Sequence, residues 1–162
     1  MIHARVTLTC RQCGRVFERS AYRTRRADAD AWERWATEHI TLCADCYHAQ
    51  QHEDTAAAWD ALNARYHFPP VTGKSQKQIA YADFLRRRHA RDVMEDPELL
   101  KKLERAADLL ETLDMNALRA RAEKTGLPLD WVIKSQFSRR FLETSYLFLT
   151  CTDAGILIDA LQ

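Results

Sequence analysis

Two short stretches near the start alternate apolar and polar positions with a period of two, residues 5–9 (RVTLT) and 15–18 (RVFE), and predict a small β-hairpin. Beyond them the period lengthens to that of a helix. Residues 27–39 (ADADAWERWATEH) predict one helix, with Trp32 and Trp35 spaced i, i+3 on one side, and a long helix-compatible stretch follows from Tyr47 to about Tyr66. Residues 67–75 (HFPPVTGKS) hold two of the four prolines and one of the four glycines and break the pattern, leaving Ser75 or Thr72 to cap the next helix. That helix, from Ser75 to about Met94, puts Ile79, Ala82, Leu85, His89 and Val93 on one side. Residues 97–113 give the clearest amphipathic pattern, with Pro97 in the first turn and Leu99, Leu103, Ala106, Leu110 and Leu113 forming the apolar stripe. A shorter helix over 116–125 is stopped by Gly126 and Pro128, and Asp130 is placed to cap one long, nearly all-round apolar helix over 131–149 at the centre of the core. Asp153 opens a last apolar segment, AGILIDALQ.

These elements predict a mainly α protein in three parts: a small β-containing module over residues 1–68 with an inserted helix, a linker over 69–75, and a helical bundle over 76–162 packed on the first module. With 162 residues, 46% apolar and 29% charged, the chain suits one ordinary core or two small ones. No apolar run approaches the ~20 residues of a membrane span, and MIHARVTLTC lacks the apolar centre of a secretory signal, so a cytoplasmic globular protein is expected.

The cysteines add chemistry to the first module. Cys10-Arg-Gln-Cys13 and Cys43-Ala-Asp-Cys46 form a C-x2-C-x29-C-x2-C pattern, with Cys151 left over. Each C-x2-C step lets two thiolates converge from one tight turn, and two turns complete a tetrahedral four-sulfur shell. Zinc suits that donor set, and an iron centre is the other reading of the same spacing. Disulfides and a thioredoxin-like redox pair fit poorly, since neither a secreted chain nor a βαβ pattern surrounds the pairs. With four protein ligands, no position is left for water or substrate, so one structural Zn²⁺ on Cys10, Cys13, Cys43 and Cys46 is expected. Gly14 lets the first turn close, and Phe17 is placed to fold back as a small apolar lid. The knuckle within a hairpin, with a second knuckle at a helix start, resembles the treble-clef class of zinc folds over residues ~5–66. The resemblance implies a binding scaffold and leaves its ligand open.

Charge changes the picture only locally. Formal net charge is +1, which removes a whole-molecule case for nucleic acid. By segment, however, it runs +3 over 1–42, −3 over 43–69, +4 over 70–92, −4 over 93–115, +4 over 116–141 and −3 over 142–162. On the helix after Ser75, Lys77, Tyr81, Phe84, Arg88 and Arg91 share one face with Arg87 beside them, a mixture of cations and aromatics suited to phosphates and stacked bases. The same aromatics equally suit packing, with the arginines on a solvated rim, and the acidic face of 97–113 is placed to neutralise Arg86–Arg88. Arg23, Arg25 and Arg26 supply a second basic cluster.

Enzyme signatures are missing. There is no H-E-x-x-H, nucleophile elbow or glycine-rich dinucleotide turn, and Gly73-Lys74-Ser75 lacks the P-loop glycine five residues upstream, where Phe68 stands. His48 and His52, Cys151, Asp28 with Asp30, and Glu95 with Asp96 are better explained as surface, core or capping residues. The expectation is therefore a non-enzymatic binding protein. Arg23, Arg25, Arg26, Lys77, Tyr81, Arg87, Arg88 and Arg91 are the candidate surface for nucleic acid. The alternative is a protein partner, and a homodimer is a third reading. Finally, residues 72–86 (TGKSQKQIAYADFLR) resemble a T-G-S-x-K-Q-I-x-W-A-x-x-I-R segment of small zinc-knuckle proteins of phages and mobile elements, and residues 152–159 (TDAGILID) resemble their A-x-x-W-I-D ending. Tyr81 and Leu157 stand where tryptophans are expected. The resemblance implies a mobile-element accessory protein that engages host nucleic acid or a host defence complex, such as a CRISPR-type nuclease.

Overall fold

The computed structural model describes all residues, Met1–Gln162, and is 68% helical with one two-stranded sheet. The chain divides into two compact units, Met1–Glu53 and Asp54–Gln162.

In the first unit β1 (Ile2–Thr9) and β2 (Val16–Arg23) pair antiparallel, Ile2 opposite Arg23 and Thr9 opposite Val16, so the predicted hairpin is real and longer at its open end. Strict alternation sends Ala4, Val6 and Leu8 to one face and His3, Arg5, Thr7 and Thr9 to solvent on the other. Helix α1 (Arg26–His39) covers the first face through Ala29 and Ala36, both fully buried, as is Ala4. Alanine at all three positions lets helix and sheet approach closely. Trp32 stays half-buried beneath the Arg23 guanidinium, 5.8 Å from the ring, while Trp35 is exposed and stacks on His39.

Helix α2 (Ala44–Tyr66) starts in the first unit and ends in the second, and the division falls inside it. Trp59 and Leu62 of its C-terminal half join the main core of the second unit. The segment read as a linker runs along that core: Phe68 and Val71 pack against it, and Thr72 pairs in parallel with Asp153 through Thr72 N–H to Thr152 O (2.7 Å) and Ala154 N–H to Thr72 O (2.8 Å). Gly73 is needed there, because a Cβ would sit 2.9 Å from Ala154 Cβ.

The remaining helices are α3 (Gln76–Glu95), α4 (Pro97–Thr112), α5 (Met115–Thr125), α6 (Leu129–Ser138), α7 (Glu143–Thr150) and α8 (Ala154–Leu161). Their starts follow side-chain chemistry. Ser75, Asp96, Asp114 and Asp153 each accept hydrogen bonds from first-turn amides, and Gly126 closes α5 in the left-handed conformation. Ala82, Leu85, Ala90 and Val93 of α3 meet Leu103 and Ala106 of α4, Phe137 of α6, Phe148 of α7 and Leu157 of α8 in the main core. Leu118, Ala122 and Val132 form a smaller one between α5 and α6.

The single helix expected over 131–149 is two helices. Phe141 takes a left-handed backbone (φ 58°), Leu142 N–H reaches back to Phe137 O and Phe141 N–H to Ser138 O, a Schellman closure with phenylalanine where glycine is usual. The apolar pattern alone carries no mark of that turn. Asp130 sits in the first turn of α6 rather than at its cap, which is Pro128.

Candidate metal centre and charged surfaces

The first cysteine pair occupies the hairpin turn. Cys10 N–H donates to Arg15 O and Gly14 N–H to Cys10 O, both at 2.9 Å, and the φ of 71° at Gly14 is what lets the knuckle close. The second pair straddles the start of α2: Cys43 O accepts from Tyr47 N–H at 2.9 Å, and Cys46 lies in the first turn. Arg11 N–H to Thr41 O (2.9 Å) ties the two knuckles together, and Arg15 bridges to Asp45 across the surface (2.6 Å).

Twenty-nine residues of hairpin and α1 thus separate the pairs in sequence and bring them together in space. The four Sγ atoms lie within 4.8 Å of one another, Cys10 and Cys43 buried and Cys13 exposed. Cys13 Sγ to Cys43 Sγ is 3.7 Å, far from the ~2.05 Å of a disulfide. A tetrahedral ion with sulfur at ~2.3 Å requires edges of about 3.8 Å, so the cluster fits a metal ion.

Backbone N–H groups of Cys43 and Cys13 hold the Cys10 thiol down at about 6, whereas hydrogen bonds to Cys13 and Cys43 that use its own proton hold Cys46 up at about 12. Four thiolates this close repel one another, and a divalent cation at their centre would let all of them ionise.

The basic residues named from the sequence fare unequally. Arg23 lies over Trp32 and donates to Tyr22 O, Arg26 pairs with Asp30 at 3.0 Å, and Arg25, the residue before α1, is exposed and without an ion pair. On α3, Arg87 is held by Asp83 at 2.8 Å and lies over Trp59, 4.9 Å from the ring. Arg91 is mostly covered and faces Asp92 (3.4 Å) and Glu95 (3.6 Å). Lys77, Tyr81, Phe84 and Arg88 remain, one exposed stripe in which Tyr81 and Phe84 stack at 6.4 Å, with 45% and 54% of their surfaces in solvent. Of the acids of α4, Glu104 pairs with Arg65 and Glu98 with Lys101, and none pairs with Arg86–Arg88.

Arg86, which the sequence groups with its basic neighbours, is instead the one buried charge, 1% exposed. Its guanidinium donates to Pro69 O (2.7 Å) and Phe148 O (2.9 Å) and faces the Phe68 ring at 5.0 Å. Burial, with no carboxylate bonded to it, lowers its pKa from the usual arginine value. Among the other candidates, His48 and His52 are exposed, and Cys151 packs half-buried on the core, its thiol pushed up by burial.

A further group escaped the sequence reading. Arg121 of α5, Trp131, Lys134, Ser135 and Ser138 of α6, Arg139 in the turn after it and Glu143 of α7 line a cleft of about 440 Å³. The visible signal was the +4 charge of residues 116–141 together with the i, i+3, i+7 spacing of Trp131, Lys134 and Ser138; it was masked because Trp131 counted toward an all-round apolar helix. Comparison with protein-family models, curated proteins and solved structures found no match for this chain. No helix is long and apolar enough to cross a membrane.

Proposed function

We propose that this chain is a zinc-stabilised, non-catalytic binding protein whose helical unit holds single-stranded nucleic acid along α3. Zinc is the ion because the donor set is four thiolates in a closed shell, which favours a redox-inert tetrahedral cation and leaves no open position. A knuckle in a hairpin turn and a second at the start of α2 support the treble-clef-like reading of the first unit.

The observation that carries the functional reading is the stripe Lys77–Tyr81–Phe84–Arg88, two stacked exposed aromatics between two cations that have no ion pair. Aromatic faces accept any base, at about 1–3 kcal/mol each, while cations at both ends follow the phosphates. With only two or three unpaired cations and a net charge of +1, affinity rests on stacking, and salt dependence is shallow: two phosphate contacts give a log–log slope of about −1.4 on single strands. The resemblance of residues 72–86 to mobile-element proteins is consistent with such an accessory role.

Fluorescence anisotropy of the zinc-loaded chain against short single- and double-stranded DNA and RNA, at two salt concentrations, tests this. Single strands are expected to bind better than duplexes, Tyr81→Ala with Phe84→Ala to weaken binding at least about tenfold, and Lys77→Ala with Arg88→Ala to flatten the salt slope. Unchanged affinity in the aromatic variant refutes it. The near-zero net charge favours the second reading, a host protein complex docked on the same stripe, and no binding to any strand at low salt selects that reading.

A further inference from the structure

The cleft between α5, α6 and the start of α7 is chemically distinct from the α3 stripe and shares no residue with it. Trp131, Lys134 and Ser138 fall on one face of α6, while Val132 and Phe137 of the same helix are buried. The face toward the cleft therefore carries a broad aromatic surface, an ammonium and a hydroxyl. Trp131 is 57% exposed, far more than its packing needs.

Charge in the cleft is uncompensated. Glu143 is engaged by Lys134 (2.8 Å) and by the Ser138 hydroxyl, which donates at 2.8 Å. That leaves Arg121 and Arg139, both exposed, neither in any of the eight ion pairs of the molecule. The backbone that carries Arg139 is held: Arg140 N–H to Phe137 O (3.1 Å), Phe141 N–H to Ser138 O (3.2 Å) and Leu142 N–H to Phe137 O (2.9 Å) lock the turn that follows it. The lock holds Phe141 left-handed and 88% exposed, and it turns Leu142 into the main core.

We propose that this cleft binds a nucleoside phosphate, its phosphate between Arg121 and Arg139 and its base on Trp131. Two free guanidiniums match a dianionic terminal phosphate, whose oxygens accept paired N–H bonds. An exposed indole beside them matches a planar base. About 440 Å³ admits one nucleotide and no duplex. The ligand is a free mononucleotide or the phosphorylated end of a strand, which present the same chemistry.

Quenching of tryptophan fluorescence in the zinc-loaded full chain tests this with three probes: 5′-AMP, a short oligothymidylate carrying a 5′-phosphate, and the same strand with a 5′-hydroxyl. AMP or the phosphorylated strand is expected to quench, Trp131→Phe to remove the quenching, and Arg121→Ala with Arg139→Ala to weaken binding at least about tenfold. These residues are at the surface, and an unchanged circular dichroism spectrum confirms that the variants fold. Equal binding of AMP and the phosphorylated strand assigns the free nucleotide, whereas a preference of tenfold or more for the strand assigns its end. In a Tyr81→Ala, Phe84→Ala background, where the α3 stripe no longer holds single strands, equal binding of the hydroxyl strand overturns the proposal, as does AMP quenching that survives in Trp131→Phe or AMP binding indifferent to the arginine pair. Lys77→Ala with Arg88→Ala should leave the AMP response unchanged, so failure of the α3 reading and failure of this one are separable.

Discussion

The two units are stabilised by different means. The first buries Ala4, Ala29, Ala36, Cys10 and Cys43 and no large apolar side chain at all, whereas the second fully buries Phe137, Phe148, Leu85, Leu103, Leu157, Val93 and Val132. A buried leucine or phenylalanine contributes about 1.5–3 kcal/mol, and an alanine only its methyl, about 0.8 kcal/mol. Ordering each residue costs about 1–2 kcal/mol in backbone entropy alone. Helix α1 and the hairpin approach closely because their facing residues are small, and for the same reason they gain little by it. A unit of this length and composition has little beyond its four-cysteine cluster, able to hold a metal ion, to offset that cost, while the helical unit has a conventional core.

The largest expected effect follows directly. Stripping the metal with a chelator, or Cys10→Ser or Cys43→Ser, should unfold residues 1–53 and leave most of the helical unit's circular dichroism and its own thermal transition in place. Four-ligand zinc sites contribute about 10–16 kcal/mol of apparent binding energy at neutral pH, more than the small apolar core here can replace. Spectroscopy alongside a direct metal assay checks it. A melting profile unchanged with the metal demonstrably gone would erase the contrast between the units.

Arg86 tests the second unit from the inside. It joins the 67–75 segment to the C-terminal end of α7 through Pro69 O and Phe148 O, and lies among Trp59 and Phe68. Arg86→Ala leaves two carbonyls without that donor and opens a cavity, for an expected loss of about 3 kcal/mol in urea unfolding of the helical transition. Arg86→Met fills the volume and removes the buried charge, so its loss should be smaller. If the alanine variant falls within about 0.5 kcal/mol of the parent, the guanidinium is not a structural tie.

The same residue shows what the sequence could and could not convey. Elements with strong local signals were legible: the C-x2-C turns at Cys10 and Cys43, the caps at Ser75 and Asp153, and the stop at Gly126 each act through neighbours a few positions away. Arg86, Arg87 and Arg88 look alike in a row, yet the helix turns ~100° per residue and sends them to a core, an ion pair and solvent. Which arginine meets Phe148, 62 residues later, is a tertiary fact. The break at Phe141 was hidden for a related reason, since a left-handed turn is normally announced by glycine. Of the candidate site, the two cysteine pairs were local enough to read, whereas the cleft beside Trp131 depended on α5 and α7 meeting α6.

The smallest effect concerns acid. His89 of α3 is largely buried with its ring edge against Phe148 at 4.9 Å, and that burial lowers its pKa; Asp92 works against the shift and Arg88 with it. The folded state therefore prefers neutral imidazole, while the unfolded chain takes up a proton near pH 6.5. His89 contributes its full share of stability above that value and loses it as pH falls from about 6.5 through the lower folded pKa. Acid also protonates the cysteine thiolates and weakens the first unit, so total unfolding cannot separate the two. The helical unit's urea transition at about pH 7.5 and 5.5, in the parent and in His89→Leu, does separate them. The parent's transition should move to lower urea at the acidic pH and the variant's should move less. Equal movement would show that the helical unit's acid sensitivity comes from groups other than His89, because removing the imidazole would then have removed none of it.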